Sequence, residues 1–286
     1  MSPHTDTAPA QARRAFRALV ALPDDALDLA QASLLIARSE YPDLQVGRYL
    51  ERLDEMAAAV RANLRGGEGF TSQIAHLNAV IFKEMGFRGN VEEYDDPRNS
   101  FLNDVLDRRV GIPISLATVY IEVGRRIGCP LAGVSFPGHF LVRYMGHEAP
   151  AEVLIDPFNR GRILTEPECR QRLERMYDGR LPFREEFLRR ASKREILERM
   201  LNNLKMIYQR CRDYHRALGV QEMLLCIHPG APAVIRDRGL LYQRLACLGQ
   251  AADDLTTYLE LDPGAADADP IRACLAELQR LAPRMN

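Results

Sequence analysis

The sequence lacks long apolar runs and a net charge, and both absences restrict what the protein can bind. No stretch approaches the roughly 18–20 uninterrupted apolar residues that span a bilayer. The 38 Lys and Arg residues almost balance the 39 Asp and Glu residues, which leaves a net charge of −1. No overall field would therefore hold the chain on nucleic acid or on anionic lipid. We expect neither a membrane nor nucleic acid as a partner.

Export signals and metal-ligand spacings are missing as well. The first residues, MSPHTDTAPAQARR, lack the basic start and apolar core of a signal peptide, which predicts a cytoplasmic protein. The six cysteines include no C-x-x-C pair, so we expect core residues rather than disulfides or zinc ligands. His147 and Glu148 have no second His or Cys at ligand spacing, and the glycine-rich segment 66–69 lacks the Lys-Ser/Thr of a phosphate loop. We expect no metal and no cofactor.

The length and composition that remain are those of a folded protein with about two domains. The 286 residues are 47% hydrophobic and 27% charged. Apolar residues at three- and four-residue spacing predict helices within residues 16–86, and two more at about 100–109 and 114–127. Two runs rich in β-branched and aromatic residues, 138–144 and 152–155, predict a β-hairpin with its turn between them.

The last third of the chain contains an internal repeat. The segment HPGA at 228–231 recurs as DPGA at 262–265, an offset of 34 residues. This offset is the period of the tetratricopeptide (TPR) helix–turn–helix repeat. It predicts two repeats, 198–231 and 232–265, followed by a terminal helix from Pro270 to Leu281. Such a short array packs on another domain or binds a peptide in its concave face.

Ser115, His139 and Asp156 form a candidate set of nucleophile, base and orienting carboxylate. Ser115 is expected in the first turn of a helix, where free backbone N–H groups favour developing negative charge. His139 would open one strand of the hairpin and Asp156 would close the other, so the carboxylate could orient the imidazole. A structural role is equally open, because a serine at that position commonly bonds the backbone and a buried His–Asp pair can satisfy itself.

The same segments resemble a known family. The run RRIGCP at 125–130, the run PGHFLV at 137–142 and the segment LIDP at 154–157 resemble the transglutaminase-like (papain-like) core. The longer run from Asn90 to the GIPISL segment, residues 90–116, is similar to the bacterial SirB-type family, which joins that core to C-terminal TPR repeats. The resemblance covers residues 40–265. It implies an α+β fold, with a mainly helical transglutaminase-like domain containing a small antiparallel sheet, followed by an all-α TPR domain.

One residue departs from the pattern of that superfamily. Its members carry a triad of Cys at a helix N-terminus, His at a strand start and Asp before Pro, and His139 and Asp156 match the last two. No cysteine occurs between Met1 and Ile127, and a gap-free count places Pro113 at the Cys position, two residues before Ser115. A serine hydroxyl is far less acidic than a thiol, so this replacement removes most thiol-type activity. The departure favours a pseudoenzyme.

Polar side chains in a Pro-interrupted turn before the Ser115 helix are candidates for binding. These are Asp96, Arg98, Asn99 and Asn103. They could cap and brace the loop, or they could line a recognition surface beside His139. The arginine-rich segment 170–190, interleaved with Glu, is expected to be a solvated face or a salt-bridge belt between domains, with an anion-binding patch as a further possibility.

Two functional hypotheses follow for a chain with a disordered N-terminus (1–12), a transglutaminase-like domain (13–189) and a TPR-like domain (190–286). In the first, the protein is a non-catalytic cytoplasmic scaffold that binds a protein or peptide partner. In the second, it is a hydrolase or acyltransferase in which His139, oriented by Asp156, activates the Ser115 hydroxyl. The second hypothesis requires Ser115 within hydrogen-bond reach of His139, whereas the first requires only an accessible binding surface.

Overall fold

The structure is a computed structural model that describes residues 7–65, 67–147 and 152–281. Its N-terminal part is a helical assembly around a small sheet, and its C-terminal part is a series of helical hairpins. None of the described helices is long and apolar enough to cross a membrane. The helices are α1 (Ala8–Val20), α2 (Leu29–Arg38), α3 (Val46–Asn63), α4 (Phe70–Asn78), α5 (Leu102–Arg108), α6 (Pro113–Arg126), α7 (Glu166–Tyr177), α8 (Lys193–Arg210), α9 (Tyr214–Ile227), α10 (Pro232–Arg244), α11 (Leu248–Leu261) and α12 (Ala268–Leu281). The strands are β1 (Arg88–Gly89), β2 (Val110–Gly111), β3 (Leu131–Val134), β4 (Leu141–Tyr144), β5 (Leu154–Asp156), β6 (Arg162–Leu164) and β7 (Arg190–Ala191). A π-helical segment (Ala79–Glu84) continues α4, and short 3₁₀ turns occur at Pro97–Asn99, Pro157–Asn159 and Glu185–Leu188.

The N-terminal helix begins earlier than the composition predicts. A disordered segment is expected over residues 1–12, but α1 starts at Ala8. Pro9 suits the first helical turn, where its missing N–H costs no hydrogen bond. The buried side chains of α1 recur at every fourth position: Ala12, Phe16 and Val20. Packing of this face stabilises the helix, and residues 1–6 lie outside the described residues.

A five-stranded antiparallel sheet lies at the centre of the N-terminal part. Its strand order is β6-β5-β4-β3-β7, and β4 and β5 form the predicted hairpin, with Val142 opposite Ile155. Residues 148–150 of the predicted turn lie outside the described residues. Val142 and Ile155 belong to the large core cluster with α6, whereas Leu141 and Leu154 pack in a smaller cluster with α7. Helices therefore cover both faces of the sheet.

Helix α6 runs through the core and corresponds to the helix predicted at about 114–127. All residues from Pro113 to Gly124 are buried. Pro113 starts the helix because its fixed φ suits the first helical position and its missing N–H needs no partner there. Gly128, with a left-handed φ of 79°, lets the chain leave the helix towards β3. The N-terminal turn of α6, which holds Ser115, is thus inside the protein.

The C-terminal helices form the two predicted TPR repeats. Helix α8 packs on α9, α10 packs on α11, and α12 adds a terminal helix. The turns inside the two hairpins are equivalent, because Arg212 and Ala246 lie 34 residues apart and both have left-handed φ values, 58° and 57°. Gly239 of α10 faces Leu255 of α11, where a larger side chain would collide, so these helices approach closely. The expected fold class, α+β followed by a helical TPR region, is confirmed.

The expected boundary at 189/190 does not separate two independent cores. Strand β7 follows the boundary yet pairs with β3, with Ala191 opposite Gly133. One cluster of buried residues also extends from α1 through α6 to α8 and α9. Arg194 of α8 donates a hydrogen bond to the Val20 carbonyl at 2.8 Å. The first repeat therefore packs on the N-terminal part, which covers an apolar face that a two-repeat array leaves open.

Candidate functional site

His139 and Asp156 form a buried pair at one end of the β4–β5 hairpin. His139 lies two residues before β4, and Asp156 is the last residue of β5. In antiparallel neighbours the start of one strand meets the end of the other. His139 Nε2 lies 2.9 Å from Asp156 Oδ1, and both side chains are almost completely buried. This bond can fix the orientation of the imidazole ring.

The Asp156 carboxylate has further partners that hold it in its charged form. Asn159 donates from its backbone N–H at 3.2 Å and from its side-chain amide at 2.7 Å. Arg172 of α7 donates from Nη1 to Asp156 Oδ2 at 2.7 Å. Burial by itself raises the pKa of the Asp156 carboxyl, but His139, Asn159 and Arg172 together lower that pKa below its usual value. Asp156 therefore joins the hairpin, the following turn and α7.

The backbone around His139 is held by an arginine from the first TPR helix. Arg199 of α8 donates to the carbonyl oxygens of His139 at 2.7 Å and Phe136 at 3.1 Å, and to Ser135 Oγ at 2.7 Å. Burial lowers the pKa of the Arg199 guanidinium. The edge of the His139 ring meets Phe158, with ring centroids 6.0 Å apart. The TPR region thus supports the segment that carries His139.

The Ser115 hydroxyl belongs to a different set of hydrogen bonds. Ser115 is completely buried, and its Oγ donates to the Asn99 carbonyl at 2.6 Å. The same oxygen accepts from the Ile112 N–H at 3.1 Å, as a helix-capping residue does. Within the described residues no hydrogen bond joins Ser115 to His139. The structure therefore brings together two members of the candidate triad and places the third elsewhere.

The four candidate binding residues lie in and beside the loop that Ser115 contacts. Asp96 caps the 3₁₀ turn and pairs with Arg98 at 2.8 Å and with Arg108 at 3.2 Å. Asn99 is completely buried and donates to the Glu93 carbonyl at 2.6 Å. These bonds brace the loop. The fourth candidate, Asn103, is also buried, and its Oδ1 has no hydrogen-bond partner among the described residues.

Three apolar side chains that are at least partly exposed lie near the His139 segment, and we call Tyr94, Phe158 and Met176 the His139 surface. Tyr94 is 47% exposed and Met176 is 42% exposed. Phe158 lies between Tyr94 and His139, with a ring-centroid distance of 6.3 Å to Tyr94. Met176 approaches Gly138 so closely that a Cβ there would collide with its sulfur. Sequence reasoning missed these residues because Tyr94, Phe158 and Met176 lie on three separate segments.

Arg172 is the other residue that the sequence did not single out. It lies in the arginine-rich segment 170–190, whose neighbouring members make exposed pairs, such as Arg170 with Glu166 at 2.5 Å. Only Arg172 reaches the buried Asp156 carboxylate among the described ion pairs of that segment. Its position on α7, which covers one face of the sheet, makes the difference. The segment is therefore not only a solvated face, because one of its arginines binds a buried carboxylate.

Two of the buried cysteines have thiols that burial makes less acidic. Burial raises the pKa of Cys129 to about 12 and that of Cys169 to about 11. A thiol with so high a pKa stays protonated near neutral pH and is a weak nucleophile. Among the residues that the structure describes, no group of three His, Cys, Asp or Glu side chains is arranged to hold a metal ion.

Family models match both parts of the chain. Residues 47–202 match a model described as transglutaminase-like superfamily, and residues 204–276 match a tetratricopeptide repeat model. A UPF0162 protein of Xylella fastidiosa (strain 9a5c) is 40% identical over 266 residues, which cover 92% of this chain and 94% of that protein. Protein SirB1 of Salmonella typhimurium is 31% identical over 236 residues, 82% of this chain and 86% of that protein. The chain belongs to the UPF0162/SirB1 family.

The UPF0162/SirB1 architecture also resembles part of a longer protein. F-box only protein 21 of Pongo abelii is 28% identical over 198 residues, which cover 66% of this chain and 31% of that protein. The transglutaminase-like and TPR matches meet between residues 202 and 204, inside α8. In the structure this helix contributes Arg199 to the His139 backbone. In this chain the two parts therefore share one helix.

Proposed function

We propose that this UPF0162/SirB1 protein is a non-catalytic cytoplasmic scaffold that binds an extended peptide segment on the His139 surface. The observation that carries the proposal is the burial of Ser115 with its hydroxyl proton directed to the Asn99 carbonyl. A serine nucleophile needs an oxygen that faces the substrate and a base that takes its proton. Ser115 has neither of these.

Two backbone positions at the start of α6 cannot donate to an oxyanion. Catalytic helix N-termini use free backbone N–H groups to bind developing negative charge. Pro113 has no N–H, and the Ile112 N–H already donates to Ser115 Oγ. Ile112 and Pro113 therefore offer no free donor. This supports a core that keeps the transglutaminase-like shape without its chemistry.

A peptide is the occupant that the exposed side chains favour. Aromatic and methionine side chains on a protein surface typically contact the side chains of a partner chain. Tyr94 and Met176 are both exposed; Tyr94 contacts Phe158, and Met176 lies against Gly138. Asp95, next to Tyr94, pairs with Arg210 of α8 at 3.0 Å, so the first TPR helix also anchors this loop. The surface is thus held by both parts of the chain.

Reaction with a fluorophosphonate probe tests the absence of catalysis. The purified chain, Ser115→Ala, His139→Ala and heat-denatured protein are incubated with the probe and read by intact mass, with an active serine hydrolase as a positive control. We expect no labelling that depends on the fold. Labelling that requires the fold, Ser115 and His139 together would contradict the proposal and favour a serine hydrolase or acyltransferase.

Selection from a random dodecapeptide phage library tests the binding surface. Selected peptides are compared for affinity to the unmodified chain, to Met176→Glu and to Leu261→Glu. Leu261 is a matched control because it is also exposed, at 51%, but lies on α11. We expect Met176→Glu to weaken binding at least about tenfold and Leu261→Glu to leave it within about twofold. Failure to enrich any binder, or equal loss in both variants, would contradict the proposed surface.

A further inference from the structure

A cavity lies beside the π-helical segment that continues α4. Its volume is about 310 Å³, at the lower end of the range for small-molecule sites. Three cations line it from three different elements: Lys83 from the π-helical segment, Arg88 from β1 and Arg160 from the turn after β5. Phe82, Phe87 and Asn78 also line the cavity. Convergence from separate elements distinguishes this cluster from a run of neighbouring surface charges.

None of these three cations has an anionic partner within the described residues. Other arginines of the N-terminal part do have one: Arg126 pairs with Glu122 at 2.6 Å, and Arg172 pairs with Asp156 at 2.7 Å. For Lys83, Arg88 and Arg160 the described ion pairs and side-chain hydrogen bonds include no partner. Three like charges around one cavity repel one another, and an anion between them would remove that cost.

The backbone that carries Arg160 is rigidly placed. Asn78 donates from its side-chain amide to the Gly161 carbonyl at 2.9 Å and accepts from the Tyr120 hydroxyl at 3.0 Å. Arg160 and Gly161 both have left-handed φ values, 57° and 72°, and a Cβ on Gly161 would collide with Asn78. A non-glycine residue in this conformation is strained and persists only where surrounding contacts hold it. The backbone of Arg160 is therefore held in place at the cavity.

The geometry points to a binding site for a small molecule that carries a phosphate or carboxylate group and an apolar body. The oxyanion lies among Lys83, Arg88 and Arg160. The two guanidinium groups and the Lys83 ammonium group can donate charge-assisted hydrogen bonds to planar or tetrahedral oxyanions. The apolar body contacts Phe82 and Phe87. The π-helical turn agrees with this role, since such turns occur frequently at functional sites.

Calorimetric titration of the full chain tests the site with pyrophosphate and with citrate as probes at constant ionic strength. The variants are Lys83→Gln, Arg88→Gln and Arg160→Gln, and Arg48→Gln removes an equal charge from an exposed position on α3. All four positions are exposed, so unfolding curves should show that the variants fold.

We expect saturable one-site binding of at least one probe, weakened at least about tenfold by Arg160→Gln and less than about twofold by Arg48→Gln. Tighter binding of pyrophosphate would assign a phosphate ligand, and tighter binding of citrate would assign a carboxylate ligand. The absence of saturable binding for both probes would overturn the inference, as would equal weakening by Arg48→Gln.

Discussion

The core contains two buried networks of polar side chains, one around Ser115 and one around His139, which differ in charge and in the segments that they hold. The Ser115 network is uncharged and bonds mainly to backbone groups of the 90–100 loop and of Ile112. The His139 network is charged, because Asp156 joins His139 to Arg172. Ser115 thus braces a loop, whereas His139 and Asp156 anchor the hairpin. A fold can keep a His–Asp pair for its structure after the nucleophile has gone.

The largest predicted effect is at Asp156. Asp156→Ala leaves the Arg172 guanidinium and His139 without their shared acceptor inside the core. Removing one partner of a buried pair costs about 3–5 kcal/mol of unfolding free energy. Urea unfolding followed by circular dichroism measures the loss. A loss smaller than that of Ser115→Ala would show that the charged network is not the stronger one.

Ser115→Ala should have a smaller effect on stability. The substitution leaves the Ile112 N–H without an acceptor and the Asn99 carbonyl without a donor, both in a buried region. Unsatisfied buried groups of this kind cost about 1–3 kcal/mol. The same unfolding measurement applies, with Ser39→Ala as a control, since Ser39 Oγ donates only to the Ile36 carbonyl at the end of α2. Equal stability of Ser115→Ala and the unmodified chain would contradict the bracing role.

The charged network should make stability depend on acid pH. The pKa of Asp156 is lower in the folded chain than in the unfolded one, so the unfolded chain takes up a proton first as the pH falls. The stabilisation is complete above the ordinary pKa of the carboxyl and is lost as the pH falls through the lower folded value. Asp156→Asn should therefore flatten the decline in unfolding free energy below about pH 5. Asp269→Asn, at an exposed carboxylate, is the control. An identical slope for both variants would show that Asp156 does not cause the dependence of stability on pH.

An exposed ion pair gives the smallest predicted effect. Arg216 of α9 pairs with Glu40 at 2.7 Å, and the Arg216 side chain is 52% exposed. Solvent screens such a pair, so Arg216→Gln should cost less than about 1 kcal/mol in the same urea experiment. A loss approaching that of Asp156→Ala would show that burial is not what separates the two kinds of pair.

Much of the fold was predictable because its signals are local. The 34-residue offset located both TPR hairpins, and the β-branched and aromatic residues in 138–144 and 152–155 located β4 and β5. Strand β7 was missed because it spans two residues, and β3 was missed because its sequence, LAGV, has only one β-branched residue and no aromatic one. Their pairing depends on the hairpin and on the start of α8, which lie far away in the sequence.

The candidate site was predictable only in part for a related reason. The antiparallel pairing of β4 and β5 brings His139 and Asp156 to the same end of the hairpin. The direction of the Ser115 hydroxyl depends on the Asn99 carbonyl, sixteen residues earlier in an irregular loop. Arg172 reaches Asp156 because α7 packs on the sheet, which no spacing in the arginine-rich segment reveals. Residue type and order do not specify these contacts.

A double-mutant cycle between Ser115 and His139 tests the separation of the two networks most directly. Unfolding free energies are measured for Ser115→Ala, His139→Ala and the double variant. If the two residues belong to separate networks, their effects add to within about 0.5 kcal/mol. A coupling energy above about 1 kcal/mol would show that Ser115 and His139 act as one unit, and would contradict the account of a core without a serine nucleophile.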